Sequence, residues 1–282
     1  MQHVKLNNGI KMPIEGYGVF QVDPAETERC VLDALEVGYR SLDTAATYGN
    51  EEGVGSAIKK SGVPRGEIFL TSKLWVADQG YEKAKKAFEK TLEKLGTDYL
   101  DLYLIHQPLG DYYGSWRAME ELYKEGKIKA IGVSNFDSTR LVDLIVNNEV
   151  VPALNQIELH PFLQQKDAQK VMKEYGVKVE SWGPLAEAKH GILDDEMLNE
   201  IAAKHNKTVA QIILRWHLEQ DIIIIPKSVR KERMEENLDV HDFKLDEADM
   251  EKIAALDGKH PRIVDYNIMD IVTGMNSSKT PE

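Results

Sequence analysis

The chain has 282 residues, 42% of them hydrophobic and 29% charged, an ordinary balance for a folded globular protein. Its formal net charge of −12 argues against a broad basic face for nucleic acid or an anionic membrane, although it leaves room for a local basic pocket. A single cysteine, Cys30, excludes an internal disulfide framework. No apolar run approaches the ~18 residues of a membrane span and none opens the chain as a signal core, so a reducing cytoplasm is the expected compartment.

The opening His3-Val4-Lys5-Leu6, Asn7-Asn8-Gly9 and Ile10-Lys11-Met12 reads as a short hairpin whose turn residues tolerate positive φ. Eight short apolar runs then read as strands: 15–19, 39–42, 68–72, 100–105, 128–133, 153–157, 177–182 and 222–225. Helical periods lie between them. The clearest is Ala84, Ala87, Phe88, Thr91, Leu92 and Leu95, with Lys and Glu on the opposite face and Gly96 in the stop position. Others cover 26–37, 51–60, 115–124, 138–146, 167–175, 195–205 and 209–219. Cys30 lies in the apolar face of the first, which predicts a buried, inert thiol. Strand and helix alternating with this regularity imply a parallel sheet, and eight units in this length fit a closed (β/α)₈ barrel better than an open sheet. The expected architecture is thus one barrel domain over 1–282, with an N-terminal hairpin. A C-terminal loop, 261–275, is expected over the strand ends, and only 276–282 reads as a frayed tail. Gly53-Val54-Gly55 mimics the start of a dinucleotide fingerprint, but no strand precedes it and Ile58 stands where the third glycine belongs, so it reads as helix surface.

Three polar residues stand where strands stop: Asp43, Lys73 and His106, at steps of about 30 residues, the length of one strand plus its crossover helix. Parallel strands bring all three to one end of the sheet, and Tyr48 follows Asp43 closely. Lysine and aspartate at buried strand ends need partners to offset desolvation. A tyrosine is a weak acid near neutrality, an adjacent ammonium lowers its pKa, and a carboxylate holds that ammonium in place. A neighbouring histidine can orient a carbonyl. The set is suited to protonating a carbonyl oxygen while the carbon is attacked.

Several stretches resemble the aldo-keto reductase family. They are Gly38 through Glu51 (GYRSLDTAATYGNE), Asp98 through His106 (DYLDLYLIH), Gly132-Val133-Ser134-Asn135-Phe136 and Ile225-Pro226-Lys227-Ser228. The resemblance runs from about residue 3 to residue 260 with the motifs in the family's order. It is strongest to the bacterial branch that includes the 2,5-diketogluconate reductases. It implies a (β/α)₈ barrel and NADPH-dependent carbonyl reduction, with Tyr48 as general acid, Lys73 and Asp43 as its tuning pair and His106 as the orienting residue.

The cofactor site has its own signal. Pro226-Lys227-Ser228-Val229-Arg230-Lys231-Glu232-Arg233 is a basic cluster in an acidic chain and opens a helix. Cations there oppose the helix dipole, and a bound phosphate would relieve the conflict; the alternative is a solvated helix start balanced by Glu232, Glu235 and Glu236. The resemblance implies that Lys227, Ser228 and Arg233 hold an adenosine 2′-phosphate, with Val229, Arg230, Glu236 and Asn237 around the adenosine. It further implies that Ser134, Asn135 and Gln156 bind the nicotinamide carboxamide. Trp182 would stack on the ring, where many relatives have tyrosine, and Leu185 would approach the pyrophosphate through its backbone. Gly183 stands where serine is usual.

Phe20, Trp75 and Trp116 resemble the family's apolar substrate walls, beside His106; Gln107 and Val76 depart from the usual tryptophan and asparagine. Tyr266 is expected to touch substrate, whereas Trp216 and His217 read as packing residues. The expected partner is a small carbonyl compound, with no nucleic acid, membrane or metal, and the chain is expected to be a monomer. An NADPH-binding sensor or regulatory barrel with little turnover is the alternative function, which the intact tetrad of Asp43, Tyr48, Lys73 and His106 speaks against.

Overall fold

The computed structural model describes residues 2–266 and 268–281. A hairpin, β1 (His3–Lys5) and β2 (Lys11–Pro13), precedes eight parallel strands. These are β3 (Tyr17–Gly18), β4 (Ser41–Asp43), β5 (Phe69–Leu74), β6 (Leu102–Ile105), β7 (Ile131–Ser134), β8 (Leu154–Glu158), β9 (Lys178–Trp182) and β10 (Ile223–Ile224). Each pairs with its neighbour in sequence. The sheet closes where Glu15 bridges Ile224: Gly16 donates its N–H to the Ile224 carbonyl at 2.8 Å, and Ile224 donates to Ile14 O at 2.9 Å. The helices that cover it are α1 (Pro24–Val37), α2 (Glu51–Lys60), α3 (Tyr81–Leu95), α4 (Tyr112–Lys124), α5 (Ser138–Val146), α6 (Lys166–Glu174), α7 (Glu196–His205), α8 (Val209–Leu218), α9 (Lys231–Leu238), α10 (Glu247–Ala254) and α11 (Met269–Ser277). This is the (β/α)₈ barrel that the alternation predicts. Among the described residues, no helix is long and apolar enough to cross a membrane.

Strand alternation separates two apolar layers. Outward residues such as Leu42, Leu70, Tyr103 and Val133 pack under the helices, with Phe88 and Cys30 among their buried neighbours. Inward residues Phe69, Leu102, Leu104 and Leu154 form a second core inside the barrel, and the hairpin plugs it from below with Val4, Leu6 and Met12. Asn7 and Asn8 in the hairpin turn fasten the plug by donating to Pro152 O (2.9 Å) and Lys129 O (3.0 Å), just before β8 and β7. The upper interior is polar, because the same alternation that points Phe69 and Thr71 inward also points Lys73 inward.

Two elements differ from expectation. Helix α10 follows a capping box in which Asp246 and Asp249 bond each other's backbone N–H groups. The expected loop 261–275 contains most of α11, and the expected frayed tail is docked. The Ser278 carbonyl accepts from Trp75 Nε1 at 3.0 Å, Thr280 bonds Asp78, and the Pro281 carbonyl accepts from Lys94 Nζ at 3.0 Å. Polar tail residues docked by their backbone carbonyls leave no apolar pattern to read.

The glycines of the false fingerprint have a packing role. A Cβ on Gly55 would lie 2.4 Å from the Leu95 carbonyl oxygen, where α2 crosses the end of α3. Because the obstacle is backbone, Gly55→Ala is expected to destabilise the fold by about 1–3 kcal/mol, read as a lower urea midpoint at unchanged slope. An unchanged midpoint would mean that the two helices part freely.

Candidate active site

Asp43 on β4 and Lys73 on β5 point into the barrel at its C-terminal end, where such barrels place their chemistry. Lys73 is completely buried. Its ammonium donates to Asp43 Oδ1 at 2.5 Å, to the Thr44 carbonyl at 3.0 Å and to Tyr48 Oη at 3.3 Å. All three N–H donors are therefore committed. Tyr48 ends a short 3₁₀ turn, Ala46–Tyr48, which returns the chain over the strand ends. Its hydroxyl accepts from Lys73, so its own proton is available to the open side of the site.

Electrostatics follow from this burial. Loss of water pulls Lys73 down, but Asp43 and then Tyr48 outweigh it and hold the ammonium above its ordinary range. For Tyr48, burial raises the phenol pKa and Lys73 pulls it only part of the way back. The expectation of a lowered value is corrected: in the protein alone desolvation wins, because Asp43 already neutralises the ammonium. His106, after β6, is held well below the ordinary histidine range by burial first and Lys73 second, so the imidazole is neutral. Its ring meets Tyr48 edge to face at 5.6 Å and Trp75 at 5.2 Å, while Phe20 lies 5.0 Å from Tyr48. Tyr48, His106, Trp75 and Phe20 thus form one continuous aromatic cluster at the strand ends.

Along the neighbouring strand ends, the polar donors are already spent. Ser134 Oγ donates to the Gln156 carbonyl at 2.9 Å, and Asn135 Nδ2 donates to His106 O at 3.1 Å and Ser134 Oγ at 3.0 Å. Gln156 Nε2 donates to Asp43 Oδ2 at 2.9 Å and Glu180 Oε2 at 3.0 Å. What remains is acceptor capacity on Ser134 Oγ, Asn135 Oδ1 and Gln156 Oε1, which suits a ligand that brings N–H groups, such as a carboxamide. Trp182, half-buried at the end of β9, is fixed edge-on by its Nε1 donating to Asn135 Oδ1 at 2.8 Å.

The basic cluster forms a second lobe. Lys227, Arg230 and Arg233 are exposed, and none forms an ion pair with a described residue; Lys231 alone is taken, by Glu36 at 2.5 Å. Ser228 is buried, its carbonyl accepting from Tyr17 Oη at 2.5 Å and its Oγ from the Arg230 N–H at 3.1 Å. No side chain caps the start of α9. Val229 is exposed, Glu236 accepts from Thr208 Oγ1 at 2.6 Å, and Asn237 is buried. Three cations without an ion pair to a described residue, two leading into α9 and Arg233 in its first turn, could hold an anion at this uncapped helix start. Leu185 is half-buried, in the turn where Ala186 N–H reaches Gly183 O at 2.7 Å.

A model of the Aldo/keto reductase family matches residues 12–258. The chain belongs to this family. A glyoxal reductase of Bacillus subtilis is 53% identical over 255 residues, spanning 90% of this chain and 92% of the relative. Methylglyoxal reductase DkgA of Escherichia coli is 46% identical over 257 residues, spanning 90% and 93%. Among solved structures, a Bombyx mori aldo-keto reductase in complex with NADP superposes with a TM-score of 0.89 at 33% identity, covering 94% of this chain and 95% of that one.

Departures from the family's usual residues gain physical reasons. Gly183 has φ +59°, a conformation that strains a serine and suits glycine. Trp116 is corrected: it is fully buried in the core under α4, not on the pocket wall. The helix begins at Tyr112, capped by Asp111, so Trp116 is a full turn inside it and faces inward. Trp216 and His217 are buried in the core as expected. Tyr266 lies beside Gln107, next to His106, and its segment is fastened where Glu158 accepts the Ile263 N–H at 2.8 Å. Sequence reading missed Glu180 altogether, although a glutamate two residues before Trp182 on a strand shares its inward face. Among the described residues no His, Cys, Asp and Glu group could hold a metal ion.

His106 is expected to remain uncharged across the range in which an ordinary histidine titrates. Its Hε1 resonance, assigned by its loss in His106→Gln, should stay in place over that range. Movement with a midpoint near 6.5 would contradict its burial.

Proposed function

We propose that this protein is an NADPH-dependent reductase of small aldehydes and ketones, with α-oxo aldehydes as its substrate class. The observation that carries the reading is the committed ammonium of Lys73, which leaves the Tyr48 hydroxyl, not the ammonium, with a proton to give. The spent donors of Ser134, Asn135 and Gln156 match a carboxamide, and the unpaired Lys227, Arg230 and Arg233 match a nucleotide phosphate. Similarity to reductases named for glyoxal and methylglyoxal supports the substrate class, as does the aromatic cluster of Phe20, Trp75 and His106 beside Tyr48.

NADPH, when bound, supplies the hydride. The chain's own residues do the rest. The neutral His106 donates a hydrogen bond to the substrate carbonyl oxygen and orients it beside Tyr48. As negative charge develops on that oxygen, Tyr48 Oη transfers its proton to it. Lys73 stabilises the phenolate left behind, and Asp43 keeps the ammonium in place. Trp182 would offer its indole face to the nicotinamide, Lys227, Ser228 and Arg233 would hold the 2′-phosphate, and Val229, Arg230, Glu236 and Asn237 would surround the adenosine, while Phe20 and Trp75 would keep water from the reacting carbonyl.

Two measurements test the assignment. Tyr48→Phe should keep NADPH binding, followed by quenching of protein fluorescence, while methylglyoxal reduction falls by about 10²- to 10⁴-fold; near-normal turnover would remove Tyr48 as the acid. Arg233→Ala should weaken NADPH binding by about 10- to 100-fold, the range for a charge-assisted phosphate contact, and leave NADH nearly unchanged. Equal losses for both would mean that Arg233 does not read the 2′-phosphate.

A further inference from the structure

Beneath the tetrad lies a second carboxylate that the mechanism above does not use. Glu180 on β9 is completely buried, in register between Gln156 on β8 and Ile223 on β10. Its Oε2 shares one amide, Gln156 Nε2, with Asp43 Oδ2; its Oε1 has no hydrogen-bond partner. The titratable groups that face it are Asp43, Lys73 and Tyr48, while β8 contributes the neutral Gln156 and β10 only isoleucines. The one ammonium among them has no donor left to give. An anionic Glu180 would therefore be a buried charge without a counter-ion, beside another carboxylate, which is strongly unfavourable. Two carboxylates that share a site and one cation hold one proton between them, and Asp43, bonded directly to Lys73, is the ionised member.

We propose that Glu180 is a positioning residue, a neutral carboxylic acid in the barrel floor that sets the alkaline limit of the reductase by acquiring charge beneath Lys73 and Tyr48. This rests on Tyr48 being the acid. Burial, reinforced by Asp43, pushes the Glu180 carboxyl up to about 8. Once ionised, its charge raises the phenol pKa of Tyr48, as Asp43 already does, and makes proton donation harder. Its charge also repels Asp43, with which it shares the Gln156 amide, so that the side chain expected to meet the carboxamide shifts with it. Below that pH the floor carries one cation and one anion, and the geometry described above holds.

The test compares wild type with Glu180→Gln, which keeps the shape but cannot ionise. In the wild type kcat for methylglyoxal should fall as pH passes about 8, and in Glu180→Gln that fall should move up by at least about one pH unit. Difference infrared spectra of cofactor-free wild type, taken across the same range, should show loss of a protonated-carboxyl C=O stretch that Glu180→Gln lacks. Superimposable pH profiles, or no such band in wild type, would overturn the proposal even if Glu180→Gln failed to fold, because the band is read on the wild type. Absence of reduction at every pH, with the band present, would instead count against the reductase reading and leave a neutral Glu180 established.

Discussion

The site is organised by one constraint, a lysine with no access to water. Lys73 can carry its charge inside the barrel only because three oxygens surround its ammonium, and those oxygens fix the positions of everything else. Asp43 must be ionised and immobile, the Thr44 carbonyl must turn inward, and Tyr48 must bring its hydroxyl back over the strand ends. A buried pair of this kind adds little net stability compared with a hydrophobic replacement, yet it leaves an uncompensated charge when broken. Its value to the protein lies in geometry. Around it the polar groups form a chain, from Asp43 through Gln156 to Glu180 and from Ser134 through Asn135 to the His106 carbonyl and Trp182, in which the side-chain donors of Gln156, Ser134, Asn135 and Trp182 are occupied before any ligand arrives.

Much of this was legible in the chain. Strand alternation and regular spacing put Asp43, Lys73 and His106 on one rim without any knowledge of tertiary structure, because a parallel strand of fixed length followed by a helix returns to the same end. The basic start of α9 was also visible, since a run of Lys and Arg stands out in an acidic protein, although glutamates in the same helix offered a competing local balance. What escaped was what depends on neighbours remote in sequence. The direction of the Tyr48 shift reflects a balance between burial and an ammonium already neutralised by Asp43. Trp116 was misplaced because the helix starts a turn earlier than its apolar pattern does. Glu180 looked like one charge in an apolar run until β8 and β4 were laid beside it.

The C-terminal segment shows the same limit. Residues 278–281 carry almost no apolar signal, yet their carbonyls and a threonine hydroxyl are held by Trp75, Asp78 and Lys94. Such backbone-mediated docking is invisible to hydrophobic periodicity, and it places the tail beside Trp75.

The hairpin and this tail occupy opposite faces of the barrel, the first at its floor among the strand starts and the second at its mouth. A surface-immobilised enzyme tethered through the hairpin would therefore present its mouth to the solution and leave nucleotide exchange unobstructed. Tethering through the other end would pull on the carbonyls that brace Trp75 and draw the opening toward the support.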